Sequence, residues 1–161
     1  MKNYALEIKW GVLFMVAMLL WMLLERLAGL HSTHIDQHPF WTNLFAIIAI
    51  SIYVLALRQK RSQLNGVMTW QQGFLSGLVI TIVVTLLTPL GQYLTHTFIT
   101  PHFFTNAIDY AVANDKMSQA DAVAYFSLDS YLLQAVVGAF VMGIITSAVV
   151  AWFVRKPPVQ E

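Results

Sequence analysis

The sequence contains no cysteine, which excludes disulfides and thiolate metal sites. Charge is also scarce: 11% of the 161 residues are charged and 58% are hydrophobic, whereas a soluble domain carries about 25% charged residues. The chain therefore lacks the polar surface to cover itself in water. A net charge of +1 and a pI near 8.1 give no electrostatic reason to expect a nucleic-acid partner. The sequence has no phosphate-cradling loop, nucleophile elbow or paired-carboxylate constellation. No catalytic residue and no cofactor is assigned, and an enzyme is the least expected class. The length suits one domain, residues 1–161.

What is present is apolar sequence in long blocks. Charged residues are missing from 10–24, 37–57, 62–108 and 130–154. A bilayer core of about 30 Å takes roughly 20 apolar residues as a helix. The fold class is therefore all-α, a bundle of four transmembrane helices. The spans are expected at about 8–30, 39–57, 70–99 and 128–153. Pro39 is a suitable first-turn residue, and Thr69 with Gln72 reads as a capping box starting the third helix near Trp70. Arg155, Lys156, Pro157 and Pro158 stop the fourth, and 157–161 reads as a loose tail. Lys2 and Lys9 precede the first span, but no small-x-small cleavage site follows it, so an uncleaved anchor is expected.

Lys2, Lys9, Arg58, Lys60, Arg61, Arg155 and Lys156 fall on one side of a four-span arrangement. Short basic loops stay in the cytoplasm. Both termini are thus expected in the cytoplasm. Asp36, Asp109, Asp115, Asp121, Asp129 and all five histidines then lie outside. The long outer loop, 100–127, is expected to hold two short amphipathic helices. One presents Phe103, Phe104, Ala107, Ile108 and Ala111; the other is capped by Ser118 and Asp121 and presents Ala120, Val123, Ala124 and Phe126.

Small residues recur every four positions in two spans: Gly73 and Gly77 in the third, continued by Thr81 and Thr85, and Ala135, Ala139, Gly143, Ser147 and Ala151 in the fourth. Such residues let helix backbones approach in lipid. The preferred pairing is the third span on the fourth; a homodimer seam through the fourth is the rival. Thr81, Thr85, Thr88, Gln92 and Thr95 share a face of the third span. Their hydroxyls either bond their own helix carbonyls, with a bend near Pro89 and Gly91, or line a polar path.

Two further groups are candidates for a site. Glu25 lies about four residues inside Gly29, roughly 6 Å along the helix, and its short side chain should face the bundle, whereas Arg26 can snorkel outward. At the same level stand Gln92, Tyr93, His96, Tyr131 and Gln134, so a polar cluster is expected there. It would be either a clasp between helices or a binding or proton-linked site. His31, His34 and His38, with Asp36, have donor types that suit zinc, copper or nickel. They lie in a loop ending at Pro39 and complete no recognised zinc signature, so no metal is assigned to them.

The ordered set Glu25…Gly29-Leu30-His31, Trp70-x-x-Gly73-Phe74-x-x-Gly77, Thr88-Pro89-Leu90-Gly91-Gln92-Tyr93, Ile99-Thr100-Pro101 and Tyr125-Phe126 resembles the bacterial membrane proteins grouped as domain of unknown function 4199. The resemblance covers nearly the whole chain and rests on order, length and hydropathy. It implies a four-helix inner-membrane protein of a family with no established activity, so it transfers no functional residue.

Three functions fit these readings. The first is a non-enzymatic accessory or scaffold protein for an envelope-associated complex, with a membrane-protein partner. The second is a small homo-oligomeric transporter or channel, possible as a homodimer, using the threonine face and Glu25. The third is an outer-face metal or pH sensor.

Overall fold

The computed structural model describes residues 4–157. Lys2 and the tail beyond Pro157 lie outside the described residues. Helix α1 (Ala5–Leu27) is followed by a turn segment, then by α2 (His38–Asn43) and α3 (Phe45–Gln63). Helix α4 (Trp70–Leu94) continues into a π-helical turn, Thr95–Ile99. Helices α5 (Phe103–Ala113) and α6 (Gln119–Tyr125) lead to α7 (Leu128–Val154). Four segments are long and apolar enough to cross a membrane: α1, α2 with α3, α4 with its π turn, and α7. At most 39% of any span's apolar window is buried within the chain. Leu27, Leu86 and Phe153 are among the most exposed apolar residues. Apolar surface on this scale faces lipid in a multi-pass protein.

Helix boundaries follow local chemistry. Thr69 and Gln72 form the full capping box: the Gln72 N–H donates to Thr69 Oγ1 at 3.2 Å, and the Thr69 N–H donates to Gln72 Oε1 at 2.8 Å. Ser118 accepts from the Asp121 N–H at 3.1 Å and opens α6. Ser127 accepts from the Ser130 N–H at 3.3 Å and opens α7.

The second span is longer than the sequence suggests, and the first is shifted, ending at Leu27 where Leu30 was expected. The first begins at Ala5, not Ile8, and so takes Glu7 into the helix. The second runs past Leu57 to Gln63, carrying Arg58, Lys60 and Arg61 inside it. Basic side chains in a last turn complement the helix dipole, so the cluster extends the helix where a stop was expected. The chain then reverses through Asn65 and Gly66, at φ 56° and 83°. The second span also restarts at Leu44, which separates α2 from α3. Helix α4 runs uninterrupted through Pro89, and the irregularity falls at the π turn instead.

The largest helix contact is between α4 and α7; α1 packs on α4 and α3. A Cβ added at Gly73 would lie 3.1 Å from Ala151 Cβ, and one at Gly77 would lie 2.7 Å from Ser147 Cβ. One at Gly143 would lie 2.7 Å from Thr81 Oγ1. Gly73, Gly77 and Thr81 thus face Ala151, Ser147 and Gly143 in antiparallel order. Ala135 and Ala139 lie nearer the start of α7 and border a cavity, with Ala139 also packed against the core that holds Ile80 and Val84.

The basic end is tied shut. Met68 and Lys156 exchange backbone hydrogen bonds of 2.8 and 2.9 Å. Arg61 donates to the Val154 carbonyl at 2.8 Å, and Trp70 Nε1 donates to the Ala148 carbonyl at 3.0 Å. Lys60 Nζ sits 2.7 Å from Glu7 Oε1, which also accepts from the Ser76 hydroxyl at 2.7 Å. This fully buried carboxylate was not among the sequence candidates.

At the opposite end α5 buries Phe103, Ala107 and Ala111, three of the five residues on the expected face. Helix α6 buries Ala122, while Ala120, Val123 and Ala124 are exposed. The expected face of α6 is therefore rotated, because a helix of seven residues is oriented by one small contact residue and not by a long apolar stripe.

Candidate functional site

The histidine end of the bundle encloses a cavity of about 670 Å3. Its walls come from every span: Met22 of α1, His38, Thr42 and Asn43 of α2, Gln92 of α4 with Thr95 and His96 of the π turn, and Tyr131, Gln134, Ala135, Gly138 and Ala139 of α7. His31, Thr100, Phe103 and Tyr125 close the cap side. A concave, largely apolar space with a few polar groups is the usual form of a small-ligand site.

Glu25 stands behind this wall and is 2% exposed. Its Oε1 accepts from Trp21 Nε1 at 2.7 Å. Its Oε2 lies 3.0 Å from His31 Nε2 and 3.6 Å from His38 Nε2. Trp21 is one helical turn before Glu25, a spacing that puts both on one face. His31 is delivered by the turn segment after α1, and His38 is the first residue of α2. Phe103 braces the imidazoles, with ring centroids 5.3 Å from His31, 5.1 Å from His38 and 5.7 Å from His96. Asn106 Nδ2 of α5 donates to the His31 carbonyl at 2.8 Å, which anchors the turn segment to the cap.

The expected polar cluster is accordingly split. Gln92, His96, Tyr131 and Gln134 line the cavity. His96 Nε2 lies 3.2 Å from Gln92 Oε1, and its ring stacks on Phe104 at 4.2 Å. None of these is the hydrogen-bond partner of Glu25; Trp21 and His31 take that place. Tyr93 is exposed and packs edge-on against Phe98, and Arg26 turns outward to the Phe98 carbonyl at 3.4 Å. The histidine set is split as well. His34 and Asp36 are exposed, while His31 and His38 converge on Glu25. Helical spacing has no force in this turn segment, and the convergence comes from the chain folding back at Gly29, φ 76°.

The threonine face divides in the same way. Thr81 donates to the Gly77 carbonyl at 3.0 Å and lies 2.8 Å from the Tyr53 hydroxyl and 3.3 Å from the Ser147 hydroxyl. Thr88 donates to the Val84 carbonyl at 2.9 Å. Thr85 Oγ1 and Thr95 Oγ1 are buried without a hydrogen-bond partner among the described residues. Gln92 and Thr95 reach the cavity, whereas Thr81 is locked in the α4–α7 seam. Between the cavity and the basic end the interior is filled by Tyr53, Leu57, Ile80, Val84 and Val150, all buried.

Sequence reasoning missed Trp21, Phe103 and Asn106 as parts of this site. Trp21 had a signal, its one-turn offset from the acid. Phe103 and Asn106 had none, because they reach the histidines only through the placement of α5.

A four-span helical bundle with a cavity at one end defines a multi-pass membrane protein. The chain belongs to the family described as protein of unknown function (DUF4199), whose profile matches residues 9–156. No curated protein and no solved structure matches it.

Proposed function

We propose that this protein is a non-enzymatic accessory or scaffold subunit of an envelope-associated complex in the bacterial inner membrane, with both termini cytoplasmic. The observation that carries this reading is the filled interior: buried Tyr53, Leu57, Ile80, Thr81, Val84 and Ser147 lie between the cavity and the basic end. A cavity that stops halfway suits recognition of a ligand or partner from one side better than conduction. The gathering of Lys9, Arg58, Lys60, Arg61, Arg155 and Lys156 near the ends of three segments supports a cytoplasmic basic end.

Transport is the second reading, and one observation favours it. A smaller cavity, about 330 Å3, borders buried Glu7 at the basic end, so each end pairs a cavity with a buried acid. A homodimer alternating between them would need the packed middle to open.

Purification from native membranes in mild detergent separates the two. A stoichiometric partner is the expected result. A partner-free homodimer whose proteoliposomes show ion flux abolished by Glu25→Gln would overturn the accessory reading. Orientation has its own check, since the chain has no native cysteine. In whole cells, Ser118→Cys is expected to react with an impermeant maleimide and Ser62→Cys to stay unlabelled; the reverse pattern would invert the topology.

A further inference from the structure

We propose that Glu25, His31 and His38 form a binding site for one divalent transition-metal ion of the zinc class, with a further coordination position facing the cavity. The site does not depend on the accessory reading: a partner could be found without metal, or metal without a partner.

The argument starts from donor geometry. Zinc takes nitrogen and carboxylate oxygen at about 2.0–2.2 Å, so neighbouring donors of a tetrahedral ion lie roughly 3.3–3.5 Å apart. Glu25 Oε2 lies 3.0 Å from His31 Nε2 and 3.6 Å from His38 Nε2, which brackets that spacing. All three donor atoms fall within 4.8 Å of one another. Two histidines and one carboxylate are also a ligand set that leaves a position open for water or substrate. His31 and His38 both line the cavity, so an open position there has room for a small ligand.

Charge supports the assignment. A carboxylate buried in a membrane span requires a compensating partner. Arg26, its sequence neighbour, points away to the Phe98 carbonyl. The groups within ion-pair reach of Glu25 among the described residues are the two imidazoles. A divalent ion held by all three, with the histidines in their neutral, ligating form, would neutralise the carboxylate and leave one positive charge for a hydroxide or an anionic ligand at the open position. Part of the supporting shell is in place, although His31 Nδ1 has no partner among the described residues. Trp21 occupies Oε1 and leaves Oε2 to ligate, while Asn106 fixes the backbone of His31 and Phe103 packs on both imidazole rings. The competing explanation is a hydrogen-bonded clasp that uses no ion.

The test uses the full-length protein in detergent, stripped with a chelator and desalted, then titrated with Co2+ and with Zn2+. The expected result is uptake of one ion per chain, visible Co2+ d–d bands of a low-symmetry site, displacement by Zn2+, and a rise in unfolding temperature on binding. His38→Gln is the principal variant because that side chain is 18% exposed, so its replacement is expected to leave the bundle folded. It is expected to weaken affinity by more than about 100-fold, the upper range for losing even an outer-shell partner. His34→Gln, on the exposed part of the same turn, is expected to leave affinity unchanged. Absence of stoichiometric uptake by the wild-type chain overturns the site. So does uptake that survives His38→Gln, or that His34→Gln and His38→Gln weaken equally.

Discussion

Lys60→Met is expected to destabilise the protein by about 3 kcal/mol, the lower end of the range for breaking a buried ion pair by removing one partner. Glu7 is 1% exposed, and Lys60 Nζ is 2.7 Å from its Oε1. Removing the ammonium leaves Ser76 as the remaining side-chain donor to that carboxylate, and Oε2 already has no partner among the described residues. The effect stays at the lower end because Lys60 is itself 21% exposed and its charge is partly solvated. The double variant Glu7→Gln with Lys60→Met removes both charges together. It is expected to recover most of the loss, since replacing a whole buried pair is commonly near neutral. Unfolding midpoints of the wild type, both single variants and the double variant in detergent give the coupling directly. A Lys60→Met protein within about 0.5 kcal/mol of wild type, the range of an ordinary surface change, would show that the pair contributes nothing.

Gly77→Ala and Gly143→Ala should each cost about 2 kcal/mol, in the range for overpacking a filled interior. At Gly77 the new methyl would lie 2.7 Å from Ser147 Cβ and 3.2 Å from Ser147 Cα, so a helix backbone would have to move. At Gly143 it would meet Thr81, whose hydroxyl is already engaged with Gly77, Tyr53 and Ser147. Gly91→Ala provides the contrast. Its methyl would meet the ends of Met15 and Met18, which can rotate aside, so the cost should be small. Gly138→Ala should stabilise by about 0.5–1 kcal/mol, because alanine is the better helix former and nothing lies within 4 Å. Thermal unfolding of the four variants measures the series. Equal effects at Gly77 and Gly138 would mean that α4 and α7 are not closely apposed there.

Much of this architecture was legible in the residues themselves. Blocks without charge located the four spans, because a charge in hydrocarbon is costly wherever the helix packs. Thr69, Gln72, Ser118 and Asp121 marked helix starts, since a cap acts over three residues and requires no distant partner. The repeated small residues of the third and fourth spans identified faces that could approach closely. Several of the readings that needed correction involved a distant partner. Ending the second span at Leu57 ignored Glu7 and Val154, which engage Lys60 and Arg61 across the basic end. The threonine face read as one stripe, but α7 seals Thr81 while the cavity takes Gln92 and Thr95.

The candidate site was half legible for the same reason. Burial of Glu25 follows from an acid in an apolar span, and two of its partners lie within 13 residues downstream. Which histidines converge on it does not follow, because the turn at Gly29 and the anchoring of His31 by Asn106 select His31 and His38 over His34. The sequence alone determined that this is a four-span protein with its charges at the span ends, since hydropathy and capping are sums over neighbouring residues. The tertiary structure decided where the cavity lies, that Glu7 meets Lys60, and that two imidazoles meet one carboxylate. The hydrogen bond that anchors His31 to Asn106 spans 75 positions, and such geometry depends on how helices pack, which short-range periodicity does not encode.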